Sequence, residues 1–128
     1  NSAQALKGTI FDSPTYLGFW SIFIFISEVL NFYSHIHLRS LRTPVGEPRR
    51  YPTGLGFGTT VCANYFYEAL GLIGLFAITG GDLGVIAYIA VAVIFMHRWS
   101  GQKYRRYTKE FDSKVFPGKR WKMFPLIY

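Results

Sequence analysis

The sequence predicts an all-α fold: a multi-pass membrane helical bundle of about three transmembrane helices, followed by a cytosolic amphipathic helix and a tail. Half of the residues are apolar and 19% are aromatic. They concentrate at residues 16–38, 61–79 and 83–99, each of about 17 to 23 residues, which covers most of a bilayer of about 30 Å. A soluble bundle that buries these segments is the alternative.

The charges are arranged as the positive-inside rule requires. Residues 39–60 carry four arginines against one acid, and residues 98–128 carry nine lysines and arginines against two acids. The turn at residues 80–82 has no base, and only Lys7 precedes the first span. Because bases favour the cytosolic side, we predict a luminal N-terminus and a cytosolic C-terminus. The net charge of +7 then reflects topology and lipid headgroups, and we expect no nucleic-acid partner.

Helix starts and stops divide the chain in order. Asp12 and Ser13 before Pro14 predict the start of the first helix, and Thr43-Pro44 ends it at about Arg42. A loop rich in Pro and Gly follows at residues 44–60 and contains GLGFG. We predict one membrane domain over residues 16–128 after a polar luminal lead-in at residues 1–15.

The remaining two helices follow from the apolar pattern. The second begins near Val61 and ends at the tight turn Gly80-Gly81. The third begins at Leu83 and continues as a basic, aromatic helix to about Phe111. In the tail, Pro117 and Pro125 limit further helix.

Polar residues form a stripe along the first helix. On a helix, five of them lie within an arc of about 80°. They are Glu28, Asn31, His35, Arg39 and Arg42. Charged groups at membrane depth face protein or water and usually serve a function, and the stripe becomes more basic toward the cytosol, where a dinucleotide phosphate could enter. The alternative is a helix-packing seam whose arginines extend to the headgroups.

The second and third helices carry similar groups. Asn64 and Glu68 share one face of the second helix, with Tyr65 beside them, and either contact the first helix or bind a ligand. On the third helix, Lys103 and Tyr107 share a face, next to Arg106. A cation beside an aromatic ring suits an adenine or a phosphate, and it equally suits an interfacial anchor.

Metal and haem sites are not predicted. Lone Cys62 has no partner for an internal disulfide, and no Cys/His spacing resembles a zinc site. His35 and His37 point to different faces of the helix, and His97 has no partner at ligand spacing. The GLGFG loop lacks the preceding strand of a dinucleotide-binding fingerprint.

Three segments and the tail together resemble one family. NFYSHIHLRSLR, GFGTTVCANYFYEALG and WSGQKYRRYTKEF, closed by KRWKMFPLIY, are similar to the C-terminal domain of the steroid 5α-reductase superfamily. Within it, they most resemble the very-long-chain trans-2-enoyl-CoA reductases. The resemblance covers residues 16–128. It implies an all-α membrane enzyme of the endoplasmic reticulum whose earlier membrane helices would precede this segment.

The resemblance also implies roles for individual residues. Tyr65 would be the catalytic residue, and NADPH would be held at the cytosolic side. The cofactor contacts would be Asn31, Arg39, Arg42, Asn64, Glu68, Lys103 and Tyr107. His35 and Lys103 depart from the steroid branch, which carries an acid and a histidine at these positions.

The implied reaction is the reduction of trans-2-enoyl-CoA to acyl-CoA in very-long-chain fatty acid elongation. Its partners would be the acyl-CoA substrate, the lipid bilayer, and other elongation enzymes or a larger membrane complex. Two alternatives remain: a reductase-derived subunit without activity, and a steroid or sterol reductase.

Overall fold

Three α-helices make up most of the chain. The computed structural model describes residues 6–47, 50–54, 56–111 and 121–128. A short 3-10 helix, Ile10–Asp12, precedes α1 (Pro14–Ser40), α2 (Ala63–Thr79) and α3 (Leu83–Glu110). Within these ranges there is no strand, although Thr60 and Trp121 form an isolated parallel bridge. The all-α prediction is confirmed, while residues 1–5 of the predicted lead-in and residues 112–120 of the predicted tail lie outside the described ranges.

Two of the helices are suited to cross a membrane. Both α1 and α3 are long and apolar enough, and their most apolar segments are only 6% and 11% buried. Large apolar side chains such as Phe19, Ile22 and Phe25 are therefore exposed on α1. Outward-facing apolar surface of this extent is typical of helices surrounded by lipid. The shorter α2 has 17 residues and carries seven buried residues, more than either α1 or α3.

The helix ends follow the predicted chemistry, although α1 ends at Ser40, two residues before the predicted Arg42. Pro14 occupies the first turn of α1, and α3 continues without interruption from its apolar part to Glu110. Asp82 caps α3, because its carboxylate accepts hydrogen bonds from the backbone N–H groups of Gly84 and Val85. Gly80 ends α2 in the left-handed conformation, with φ of +65°.

The N-terminus of α2 depends on a distant segment of the chain. No side chain caps this helix. Instead, Val61 N–H donates to the carbonyl of Trp121 at 2.8 Å, and Cys62 N–H donates to that of Lys122 at 3.0 Å. The tail therefore satisfies backbone donors at the start of α2, which begins two residues after the predicted Val61.

The closest helix packing is between α1 and α2. Two glycines on α2 permit it: Gly71 faces Glu28, and Gly74 faces the side chain of Ile24. One turn after Gly74, the Tyr16 hydroxyl donates to the carbonyl of Ala77 at 2.8 Å. These contacts hold α1 against the C-terminal half of α2, and the pair forms the frame of the polar residues described next.

Candidate functional site

The polar stripe of α1 lines two neighbouring pockets that meet at His35. The inner pocket, of about 480 Å³, lies between α1 and α2, with Tyr88 contributed by α3. Its polar lining consists of Glu28, Asn31, His35, Glu68 and Tyr88. Gly71 lies in its wall and adds no side chain. The inner pocket therefore brings two acids, an amide and an imidazole together between two helices.

The outer pocket, of about 220 Å³, lies at the end of α1 against the basic part of α3. Its charged lining consists of Arg39, Arg42, Arg50, Lys103, Arg106 and Glu110, together with His35. Five permanent cations against one carboxylate make this pocket strongly electropositive. Guanidinium groups bind phosphate with two parallel hydrogen bonds, so this lining suits a polyphosphate.

Most of the sequence-predicted contacts lie at these pockets. Arg39, Arg42, Lys103 and Tyr107 line the outer pocket. Asn31 and Glu68 line the inner pocket. Asn64 lies one turn before Glu68 on α2 and is only 3% exposed. Residues of α1, α2 and α3 thus line two adjoining polar pockets, while Asn64 is absent from both linings.

Two buried amide oxygens at this region have no hydrogen-bond partner within the described part of the chain. They are the Oδ1 atoms of Asn31 and Asn64. An unsatisfied buried acceptor costs roughly 1–3 kcal/mol, so such groups are expected to have a partner in the functional state. Ligand hydroxyl or amide groups could supply it. These residues therefore fit a nicotinamide dinucleotide, with phosphates in the outer pocket and sugar or amide donors near the asparagines.

Tyr65 has a different location from the other predicted residues. Its side chain is half-buried and packs against both core clusters, and its ring centroid is 6.4 Å from that of Trp99 on α3. It is absent from the linings of the inner and outer pockets.

Tyr107 is held by an aromatic cluster at the wall of the outer pocket. Its ring lies 5.4 Å from Tyr51 and 5.4 Å from Phe111 in edge-to-face contacts. The guanidinium of Arg106 lies 5.6 Å from the same ring. Burial raises the pKa of Tyr107 to about 12, although the neighbouring Arg106 opposes this. The phenol therefore remains protonated at neutral pH.

A known protein family matches almost the whole chain. The family model described as 3-oxo-5-alpha-steroid 4-dehydrogenase matches residues 3–128. The chain belongs to this family. The predicted resemblance to the steroid 5α-reductase superfamily is confirmed.

Curated relatives within this family are named as enoyl reductases. The "Very-long-chain enoyl-CoA reductase" of Dictyostelium discoideum is 37% identical over 111 residues, covering 87% of this chain and 35% of the relative. The "Putative enoyl reductase" of Schizosaccharomyces pombe is 34% identical over 114 residues, covering 89% and 38%. The chain therefore spans little more than a third of the length of these relatives. No solved structure matches it.

Sequence reasoning missed two contributors to this family member's outer pocket. Arg50, in the loop before α2, lines the pocket, and Tyr51 supports Tyr107 from below the surface. A loop residue has no periodicity that reveals which way it faces. The sequence offered one indication, which is that Tyr51 stands between Arg50 and Pro52. A large aromatic ring in a polar loop usually packs against other residues.

Proposed function

We propose that this chain forms the cofactor-binding part of an NADPH-dependent reductase that converts trans-2-enoyl-CoA to saturated acyl-CoA. The observation that carries the proposal is the junction of the two pockets. Five cations surround one end, and near the other end two buried amide oxygens have no partner among the described residues. The names of the relatives support the choice of an enoyl thioester as substrate.

The outer pocket is proposed to bind the phosphates of the cofactor. Arg39 lies in the last turn of α1 and Arg42 lies just after its end, while Lys103 and Arg106 lie on α3. Arginine is suited to the 2′-phosphate that distinguishes NADPH from NADH, because its planar fork matches the phosphate oxygens. Cations on two different elements also allow the pocket to enclose a phosphate from both sides.

The inner pocket and the adjacent α2 face are proposed to hold the sugar and nicotinamide end. Asn31, Asn64 and Glu68 provide acceptors there, and the two amide groups also provide donors. Such groups select hydroxyl and carboxamide substituents by direct hydrogen bonding. This assignment gives the unpartnered Oδ1 atoms their missing partners.

Reduction of an enoyl thioester needs a hydride at C3 and a proton at C2. NADPH, when bound, supplies the hydride. Tyr65 is proposed to donate the proton to C2, because a phenol with an ordinary pKa of about 10 is protonated at neutral pH. Its hydroxyl can also stabilise the negative charge that develops on the thioester oxygen.

The proposed setting is the endoplasmic reticulum membrane, with the site open to the cytosol. Coenzyme A is too polar to cross a bilayer, whereas an acyl chain can lie between apolar helices. The basic ends of α1 and α3 are expected on the cytosolic side. Acyl-CoA, the bilayer and other elongation enzymes or a larger membrane complex are the proposed partners.

The test is a substrate comparison in the full-length protein purified in detergent. NADPH oxidation is followed with a long-chain trans-2-enoyl-CoA and, separately, with a 3-oxo-Δ4 steroid. Turnover with the thioester alone supports the proposal. Turnover with the steroid alone identifies a steroid reductase, which the family description favours. NADPH binding without turnover of either substrate favours the subunit without activity.

A further inference from the structure

His37 on α1 fastens the loop that precedes α2. Its Nε2 atom accepts hydrogen bonds from the backbone N–H of Thr53 at 3.3 Å and of Gly54 at 3.4 Å. An acceptor nitrogen carries no proton, so the ring is in the tautomer with its hydrogen on Nδ1. A single imidazole therefore satisfies two consecutive backbone donors of an otherwise irregular segment.

The same loop is held by apolar contact and by its own turns. The ring of Phe57 is fully buried, with its centroid 5.6 Å from that of His37. Phe57 N–H donates to the carbonyl of Gly54 at 3.1 Å, which closes a tight turn beside the imidazole. The loop thus has a defined position against the end of α1.

This attachment fixes the residues at the beginning of the loop. Arg50 lies four residues before Gly54, lines the outer pocket, and donates from Nη2 to the carbonyl of Ser40 at 3.3 Å. Tyr51 is buried against Tyr107 and Phe111. If His37 did not hold residues 53 and 54, Arg50 would lie at the pocket for a smaller fraction of the time.

We propose that His37 is a positioning residue that keeps Arg50 at the rim of the outer pocket and so strengthens binding of the cofactor phosphates. The inference rests on the proposed function, because it takes the occupant of this pocket to be NADPH. His37 is absent from the lining of the outer pocket. Its effect passes entirely through the loop.

A double-mutant cycle in the full-length protein tests this role. NADPH affinity is measured by fluorescence for wild type, His37→Ala, Arg50→Ala and the double variant. Each single variant is expected to bind about tenfold more weakly, since each loses the contribution of one charge-assisted contact. The double variant should be no weaker than Arg50→Ala, because both changes remove the same interaction. Additive losses, or unchanged affinity in His37→Ala, overturn the proposal.

His37→Gln provides the matched control. Glutamine can present a carbonyl oxygen to the same two N–H groups, so it should recover most of the affinity, whereas a residue needed only for packing would not be rescued by a polar amide. Hydrogen exchange at the amides of Thr53 and Gly54 gives a readout independent of the cofactor. Exchange should be faster in His37→Ala, and unchanged exchange overturns the anchoring role.

The proposed function and the positioning role of His37 can be overturned separately. A wild-type protein that binds no NADPH overturns the proposed function, and with it the phosphate-binding role of the loop. Wild-type binding together with equal affinity in His37→Ala overturns only the assignment of His37.

Discussion

The carboxylate of Glu28 on α1 lies directly against the backbone of Gly71 on α2. A Cβ atom built on Gly71 would be 2.6 Å from Glu28 Oε1. The acid therefore reaches the inner pocket across a position that has no side chain. The missing side chain at Gly71 therefore lets α1 and α2 approach closely and also leaves room for the carboxylate of Glu28.

Gly74→Ala should lower stability by about 1–3 kcal/mol, because the added methyl meets the Ile24 side chain near its backbone and must separate α1 from α2. Thermal unfolding in detergent measures the change. Gly18→Ala is the matched control: Gly18 lies in α1 with no atom within 4 Å of an added Cβ. That variant should be stabilised slightly by its higher helix propensity. Equal effects at the two positions would contradict the close contact at Gly74.

Arg42→Ala should weaken NADPH binding by about tenfold or more, because a lining guanidinium of the outer pocket is lost. Arg42→Lys should recover part of the affinity through charge alone. Arg105→Ala is the control, since Arg105 is exposed on α3 and absent from the pocket lining. If NADPH affinity is the same in Arg42→Ala and wild type, the arginines at and just after the end of α1 serve as headgroup anchors.

Tyr65→Phe should reduce turnover of the enoyl thioester by roughly 10²- to 10⁴-fold, the usual contribution of a general acid. NADPH affinity should stay near the wild-type value, because Tyr65 lies outside the two polar pockets. Steady-state rates and cofactor titration of the full-length protein separate the two effects. Near-normal turnover would remove Tyr65 from the catalytic role.

Tyr16→Phe should destabilise the α1–α2 pair by about 1 kcal/mol, the net contribution of one hydrogen bond. The lost bond leaves the carbonyl of Ala77, in the last turn of α2, without the Tyr16 hydroxyl. Tyr33→Phe is the control, because Tyr33 is 53% exposed. Denaturation midpoints in detergent should differ for the first variant and agree with wild type for the second.

The part of the site that lies on α1 was predictable from helical periodicity. Glu28 and Asn31 could be placed on one face of α1 from their spacing, and both line the inner pocket. Arg42 lines the outer pocket, although α1 ends before it at Ser40. Their roles toward NADPH stay predictions. The position of Tyr65 could not be predicted in this way. Its neighbours in sequence indicated a shared site, whereas its ring packs toward Trp99 on another side of α2.

The sequence by itself determined the three helices, their order and the polar face of α1, because apolar periodicity, Pro14 and Gly80 act within a few residues of where they stand. Only the tertiary structure decided that Trp121 and Lys122 supply acceptors to the start of α2, and that His37 holds the loop carrying Arg50. These contacts join segments far apart in the chain, and no local preference encodes which distant partner a loop donor or a helix end will find.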